Sequence, residues 1–328
     1  MDKKKILNRR FSVAPMMDCT DRHFRYLARL ISKQTLLYTE MITSAALVHG
    51  DREYLLGFDV SEHPLALQLG GSKIDEMTEA AELAETYGFD EININCGCPS
   101  DRVQSGRFGA CLMLEPELVA ENVKALQKAC NLPITIKSRI GVDENDSYEE
   151  LVHFVVSNAV AGCKTFIVHA RKAWLSGLSP KQNRQVPPLN YQHVYRLKQD
   201  YPELEIIVNG GINSLAETAE HLNYVDGAMM GREAYRNPYI LSEIDAQFYG
   251  GGGVVTREKI LQQYMEYCVY QLASGTRMHH LARPVIGLFH GEPRSRLWRQ
   301  YISEQAHKHS SGVEVLEQAF SRMELLAT

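Results

Sequence analysis

Cys98 lies between Gly97 and Pro99 in the run Asn93-Ile94-Asn95-Cys96-Gly97-Cys98-Pro99. Residues 91–95 alternate polar and apolar side chains, the period of a short strand. Glycine permits a sharp turn and proline cannot extend a ladder, so the strand must stop there. A thiol presented at a strand end, beside the amides of Asn93 and Asn95, is a candidate proton donor or nucleophile. Free cysteine is among the most buried residue types, and a lone one is more often an inert packed thiol. Its neighbours reverse that preference here.

Seven further apolar runs recur at intervals of strand, loop and helix: 11–14, 35–38, 65–69, 134–137, 165–169, 205–209 and 227–230. Helical patterns lie between them, for example at 73–86, 117–130, 148–160 and 214–222. Eight strands alternating with helices predict a parallel α/β architecture, a (β/α)8 TIM barrel. A doubly wound open sheet is the alternative. It would carry a glycine-rich dinucleotide turn after the first strand. That strand ends instead in Ala14-Pro15-Met16-Met17.

Barrel chemistry sits at the C-terminal strand ends. In order those ends carry Pro15, Met16 and Met17; Glu40; Gln68; Asn95 and Cys98; Lys137 and Arg139; His169 and Arg171; Asn209, Gly210 and Gly211; and Gly231 and Arg232. Any one could be a structural cap, but eight together are hard to explain as packing. Glycines after strands seven and eight let backbone N–H groups approach a phosphate, a common barrel site. With Gln68, Lys137 and His169 around the mouth, the implied ligand is a phosphorylated, planar, polar cofactor such as flavin mononucleotide. Lys137 is the natural charge for the ring edge that becomes negative on reduction. Its alternative role is an ion pair with Glu40.

Behind these positions stands a chain of 328 residues, with 45% hydrophobic and 23% charged content, ordinary for a globular protein. Its length suits one large domain plus a smaller appendage. The seven cysteines form neither a disulfide framework nor paired zinc spacing, so no metal site is expected and a reducing, cytoplasmic setting is. No stretch approaches the roughly 18 apolar residues of a membrane span. The glycine run 250–253 is a flexible break. We expect a catalytic barrel over 1–250 and a small C-terminal helical domain over 251–328. Thr256 should N-cap its first helix, with Lys259 at the third position ruling out a capping box.

Net charge is −5, but its distribution is uneven. Residues 171–199 hold no acid and six cations: Arg171, Lys172, Lys181, Arg184, Arg196 and Lys198. Residues 277–309 hold six more against Glu292 and Glu304. Trp174, Tyr191, Tyr195, Trp298 and Tyr301 are interleaved. Basic stretches with aromatics suit single-stranded or loop RNA, whose bases stack; solvated charged faces are the plain alternative. The stretch at 171–199 and that at 294–299 are expected to form one basic surface.

The ordered set Ala14-Pro15-Met16-Met17-Asp18-Cys19-Thr20-Asp21, Gln68-Leu69-Gly70-Gly71, Asn93 to Pro99, Gly109-Ala110-Cys111-Leu112, Lys137-Ser138-Arg139-Ile140-Gly141, His169-Ala170-Arg171, Asn209-Gly210-Gly211-Ile212 and Gly231-Arg232 resembles the tRNA-dihydrouridine synthases. The resemblance runs from about residue 11 to 232, and taken jointly these motifs are highly specific. The stretches 172–180, 283–290 and 294–299 resemble the bacterial A-type subfamily, which acts on D-loop uridines around position twenty. The resemblance implies FMN in the barrel, NADPH as electron donor and tRNA as partner, with no obligate protein partner. It implies that Pro15, Met16, Met17, Gln68 and Lys137 surround the flavin ring. His169, Asn209, Gly210, Gly211, Gly231 and Arg232 hold its phosphate end. Cys98 becomes the acid for uracil C5 and Asn95 orients the uracil edge. Arg184, Arg296 and Arg299 become candidate tRNA contacts, with Asn183 a further base or backbone contact.

Two other enzyme classes share part of this pattern. A flavin barrel acting on a free pyrimidine, like dihydroorotate dehydrogenases, leaves the basic stretches unexplained. A non-redox phosphate-binding barrel leaves Gln68 and Cys98 unexplained. A third possibility is an RNA-binding protein on an inactive barrel.

Overall fold

The structure is a computed structural model that describes residues 7–324. Among the described residues eight parallel strands form one sheet: β1 (Phe11–Val13), β2 (Leu37–Thr43), β3 (Leu65–Gly70), β4 (Glu91–Cys96), β5 (Ile134–Arg139), β6 (Thr165–His169), β7 (Glu205–Asn209) and β8 (Gly227–Met230). The spatial order is β1-β8-β7-β6-β5-β4-β3-β2. A parallel bridge from Ser12 to Leu36 joins the ends, with Val13 N–H donating to Leu36 O at 3.1 Å. Closure removes both sheet edges and makes a TIM barrel.

Helices follow the strands where the apolar period changes to that of a helix. Tyr148–Val160 starts at a capping box in which Ser147 accepts from Glu150 N–H and Glu150 reaches back to Ser147. Ile74–Tyr87 ends at Gly88 in the left-handed conformation, and Ser214 caps Leu215–His221. The second strand departs from expectation. It begins two residues later than the apolar run and continues to Thr43, with a register shift between Tyr38 and Met41. Glu40 therefore lies within the strand and not at its end.

The barrel interior has two chemically different halves. Ala14, Leu36, Tyr38, Ala66, Ile167, Ile207 and Met229 form an apolar cluster, with Met16 packed on it. Below lies a charged floor. Arg9 Nε meets Glu91 at 2.6 Å and its Nη1 meets Glu205 at 2.9 Å. Glu91 is fully buried and also accepts from Tyr38 Oη at 2.9 Å and Thr135 Oγ1 at 2.6 Å. Burial alone would push the Arg9 pKa down; Glu91 and Glu205 overcome it and raise the value.

The chain divides into two compact units. One holds the described residues up to Met17 with Leu36–Gly231; the other holds Asp18–Thr35 with everything described from Arg232. The glycine run thus falls inside the second unit. In that unit the helix Arg22–Ile31 is anchored by His23 Nδ1 against Tyr267 Oη at 2.8 Å, and Asp245 accepts from Ser32 Oγ at 2.5 Å and Lys33 N–H at 2.6 Å. Thr256 caps Arg257–Ala273 as expected, accepting from Lys259 N–H. Trp298, on the helix Ser295–Gln305, is fully buried against Phe289 and donates Nε1 to Ile286 O at 3.1 Å. It is a core residue of this unit. Among the described residues no helix is long and apolar enough to cross a membrane.

Candidate active site at the barrel mouth

The thiol of Cys98 stands at the top of a ladder of side-chain hydrogen bonds that rises from the floor. Thr135 Oγ1 donates to Glu91 and accepts from Asn93 Nδ2 at 2.9 Å. Gln68 Nε2 donates to Asn93 Oδ1 at 2.8 Å, and Asn95 Nδ2 donates to Gln68 Oε1 at 2.8 Å. Asn95 Oδ1 then accepts the main-chain N–H groups of Gly97 and Cys98, both at 3.0 Å. Alternation puts Asn93 and Asn95 on one face of β4 and Cys96 on the other. Cys96 is fully buried, and burial pushes its thiol pKa up. Cys98 is half-buried, with Sγ 3.6 Å from Ser100 Oγ. Gly109 completes the turn: its φ is +77°, and a Cβ there would come within 2.5 Å of the Cys98 carbonyl. Ala110 N–H donates to that carbonyl at 2.9 Å.

The remaining strand ends are rich in donors. Lys137 is half-buried and donates to Asn209 Oδ1 at 3.1 Å, while Asn209 Nδ2 donates to Met229 O at 2.7 Å. No ion pair joins Lys137 to a carboxylate among the described residues, so the Glu40 alternative does not hold. Burial first, and then Arg139, push its pKa from 10.5 down to about 7. His169 is held well below the usual histidine range by burial and then by Arg139, Lys137, Arg171 and Arg184. Four cations act on one imidazole and no carboxylate opposes them. Arg171 donates to Pro187 O, and its Nε is buried without a hydrogen-bond partner. Gly210 has φ +110°, and a Cβ there would lie 2.6 Å from the His169 ring. Among the described residues the N–H groups of Gly210, Gly211 and Gly231 have no hydrogen-bond partner. This donor set, short of acceptors and negative charge, fits a phosphorylated cofactor.

The other candidates separate by environment. Met16 packs on the barrel core, Pro15 is half-buried and Met17 is 56% exposed. Arg232, next in the chain after Gly231, opens the helix Arg232–Arg236 of the second unit. Asn183 is fully buried. Its Oδ1 accepts from Trp174 N–H at 2.8 Å and its Nδ2 donates to Trp174 O and Leu178 O. It folds the loop after β6 from within. Of the six cations in 171–199, Lys172, Arg196 and Lys198 pair with Asp146, Asp200 and Asp226. Lys181 and Arg184 stay exposed, with no ion pair among the described residues. On the second unit Arg296 and Arg299 are likewise exposed and unpaired among the described residues. Sequence reasoning misses Arg9, Glu91, Thr135 and Gln104. Arg9 and Glu91 are legible as charges beside or inside apolar runs, which signals a buried pair.

A closed parallel barrel with a thiol and a cation-lined mouth at its strand ends defines a TIM-barrel enzyme. A barrel likeness reaches a solved 2-naphthoyl-CoA reductase complex, at TM-score 0.55 and 13% identity over 72% of this chain and 50% of that one, which speaks for the fold alone. The family profile described as dihydrouridine synthase matches residues 12–324. A tRNA-dihydrouridine(20/20a) synthase of Shewanella oneidensis is 53% identical, covering 99% of this chain and 97% of the relative. Proteins of that name from Vibrio cholerae and Synechocystis are each 52% identical, over 96% and 94% of this chain and 96% and 92% of theirs. The chain belongs to the dihydrouridine synthase family, whose members are oxidoreductases.

Proposed function

We propose that this enzyme reduces the C5=C6 bond of uridine at positions 20 and 20a in the D-loop of tRNA, with FMN resident in the barrel and NADPH as the electron donor. The observation that carries the reading is the mouth itself: a thiol beside a donor-rich, acid-free set of strand ends, in a chain 53% identical to a relative bearing that name. Gln68 and Lys137 would hold the flavin ring. His169, Asn209, Gly210, Gly211 and Gly231 would hold its phosphate, with Arg232, the next residue in the sequence, as the charged candidate. Bound there, the flavin supplies the hydride that uracil C6 accepts.

The protein's own part is proton delivery. Addition of hydride at C6 leaves C5 in need of a proton, and the Cys98 thiol donates it. Asn95 holds the main chain of the Cys98 turn through Gly97 and Cys98 N–H, so the donor is aimed before the substrate arrives. The groups acting on His169 are the cations Arg139, Lys137, Arg171 and Arg184, and Lys137 bonds an amide and not a carboxylate, so an anionic group meets no opposing acid there. Arg184, Arg296 and Arg299 are exposed cations suited to RNA phosphates, and Asn183 serves through the loop it folds. The seven free cysteines support a reducing, cytoplasmic setting.

The test is mass analysis of tRNA from cells with and without the protein, and of transcript incubated with it and NADPH. The expected product gains two hydrogens at a D-loop uridine. An unmodified D-loop together with turnover of free pyrimidine would replace this reading by the free-pyrimidine one.

A further inference from the structure

The Cys98 turn is pinned by two further side chains besides the Asn95 ladder. Arg139, the last residue of β5, donates Nε to Gly97 O at 2.9 Å and Nη1 to Lys172 O and Asn183 O, both at 3.0 Å. Gln104, on the short helix Asp101–Ser105, donates Nε2 to Pro99 O at 3.0 Å and to Leu175 O at 2.7 Å. The carbonyls on either side of Cys98 are thus each tied to the loop after β6. These links join distant parts of the chain: Gly97 is 42 residues from Arg139, and Leu175 is 71 from Gln104.

The chemistry of Arg139 is unusual for a buried cation. It is 3% exposed, and main-chain carbonyls satisfy it where Arg9 has two carboxylates. Burial pushes its pKa down to about 10. A guanidinium held without a counter-ion is poorly explained as a stability device, since burying charge without an opposite partner is unfavourable. Its fork geometry does suit holding three carbonyls from two loops in one register. The loop it grips is the one that shows Lys181 and Arg184 to solvent.

We propose that Arg139 and Gln104 are positioning residues that lock the Cys98 turn to the basic loop after β6, so that RNA held by that loop is kept in register with the proton donor. The proposal rests on Cys98 as the acid and on that loop as an RNA contact. Registration of reacting groups to within an ångström is worth about 10²-fold in rate. The links run from the exposed loop cations through Asn183, Lys172 and Leu175 to Gly97 and Pro99, one by way of Arg139 at the β5 strand end and the other by way of Gln104.

The experiment uses the flavin-loaded enzyme reduced beforehand and mixed with a tRNA transcript. Gln104→Leu removes both donors at a half-buried site, and Gln104→Glu does so at nearly constant size; either suffices if the other fails to fold. Both should slow single-turnover reduction at saturating tRNA by about 10- to 100-fold. Their tRNA Kd should stay within about twofold of wild type, and NADPH-driven flavin reduction should be unchanged. Gln104→Lys, which keeps an N–H donor, should recover most of the rate. Alkylation of Cys98 by iodoacetamide should be several-fold faster in Gln104→Leu, a readout independent of turnover. Wild-type single-turnover and alkylation rates in the Leu and Glu variants would overturn the proposal. So would a loss confined to tRNA affinity, because the pins would then only shape the docking surface. Activity in Cys98→Ala would remove the acid reading itself, and leaves a pattern distinct from both.

Discussion

The floor and the mouth of this barrel both carry buried charge, and they treat it in opposite ways. At the floor, Arg9 is met by Glu91 and Glu205, and Tyr38 and Thr135 complete the coordination of Glu91. Every charge there has its opposite. At the mouth, Lys137, Arg139, Arg171 and Arg184 act together on His169, and the groups that answer them are an amide and main-chain carbonyls. A closed floor needs only to be satisfied. A mouth whose charges are left over from folding is shaped for a ligand that brings the negative charge with it. The ladder Thr135–Asn93–Gln68–Asn95 connects the two, so the balanced end holds the reactive end in place.

The largest effect expected from breaking the mouth alone is that of Cys98→Ala. It should lower dihydrouridine formation by about 10²–10⁴-fold, while flavin content, the rate of NADPH-driven flavin reduction and the melting temperature stay at wild-type values. Modified tRNA at the normal rate would remove Cys98 from the mechanism. Cys96→Ala, one face away and packed, should be mild by comparison.

The floor should fail in stability and not in chemistry. Glu91→Gln leaves Arg9 with Glu205 only and should destabilise the protein toward the lower end of about 3–5 kcal/mol, read as a fall in the denaturant midpoint. The folded fraction should keep its flavin reduction rate. A variant with full stability and no activity would mean that the floor's charge serves the chemistry directly.

Lys137→Met tests whether the mouth stores unfavourable charge before its ligand arrives. The lysine titrates near 7 when folded and at 10.5 in its ordinary state. Between those values the unfolded chain binds more protons, so stability rises with pH there. The penalty is full below pH 7 and gone above 10.5. Flavin-free Lys137→Met should therefore be more stable than wild type at neutral pH, with the advantage shrinking toward pH 10. Parallel stability curves for the two proteins would contradict this. With flavin saturating, Lys137→Met should still reduce slowly, whereas Arg232→Met should recover.

The smallest effects belong to the exposed cations. Charge removal at Arg296 and Arg299 should raise the KM for tRNA and flatten the salt dependence by about 0.7–0.9 for each phosphate no longer neutralised. Flavin reduction should be untouched. Unchanged affinity and salt slope would take the helix Ser295–Gln305 out of RNA docking.

The eight strands, their order along the chain and the polar groups at nearly every strand end are legible from the residues alone. Those features are local: apolar period, glycine and proline punctuation, and the residue that follows the last apolar one. The same local reading singles out Cys98 over Cys96, since neighbours in a strand face opposite ways. Which of those groups touch is a matter of folding in three dimensions. Asn95 reads from the sequence as a substrate contact; its bond to Gln68, 27 residues away, is visible only after closure. Asn183 reads as an RNA contact until the loop folds around it. Half of the six cations in 171–199 are drawn off by Asp146, Asp200 and Asp226, partners that lie outside the stretch or at its edge. The bond between Arg9 and Glu91 spans 82 residues. Residues 18–35 likewise join a unit formed mainly from Arg232 onward, through contacts such as His23 with Tyr267, 244 residues apart. Pairings at such separations follow from how a sheet closes and packs, and neither composition nor period carries that information.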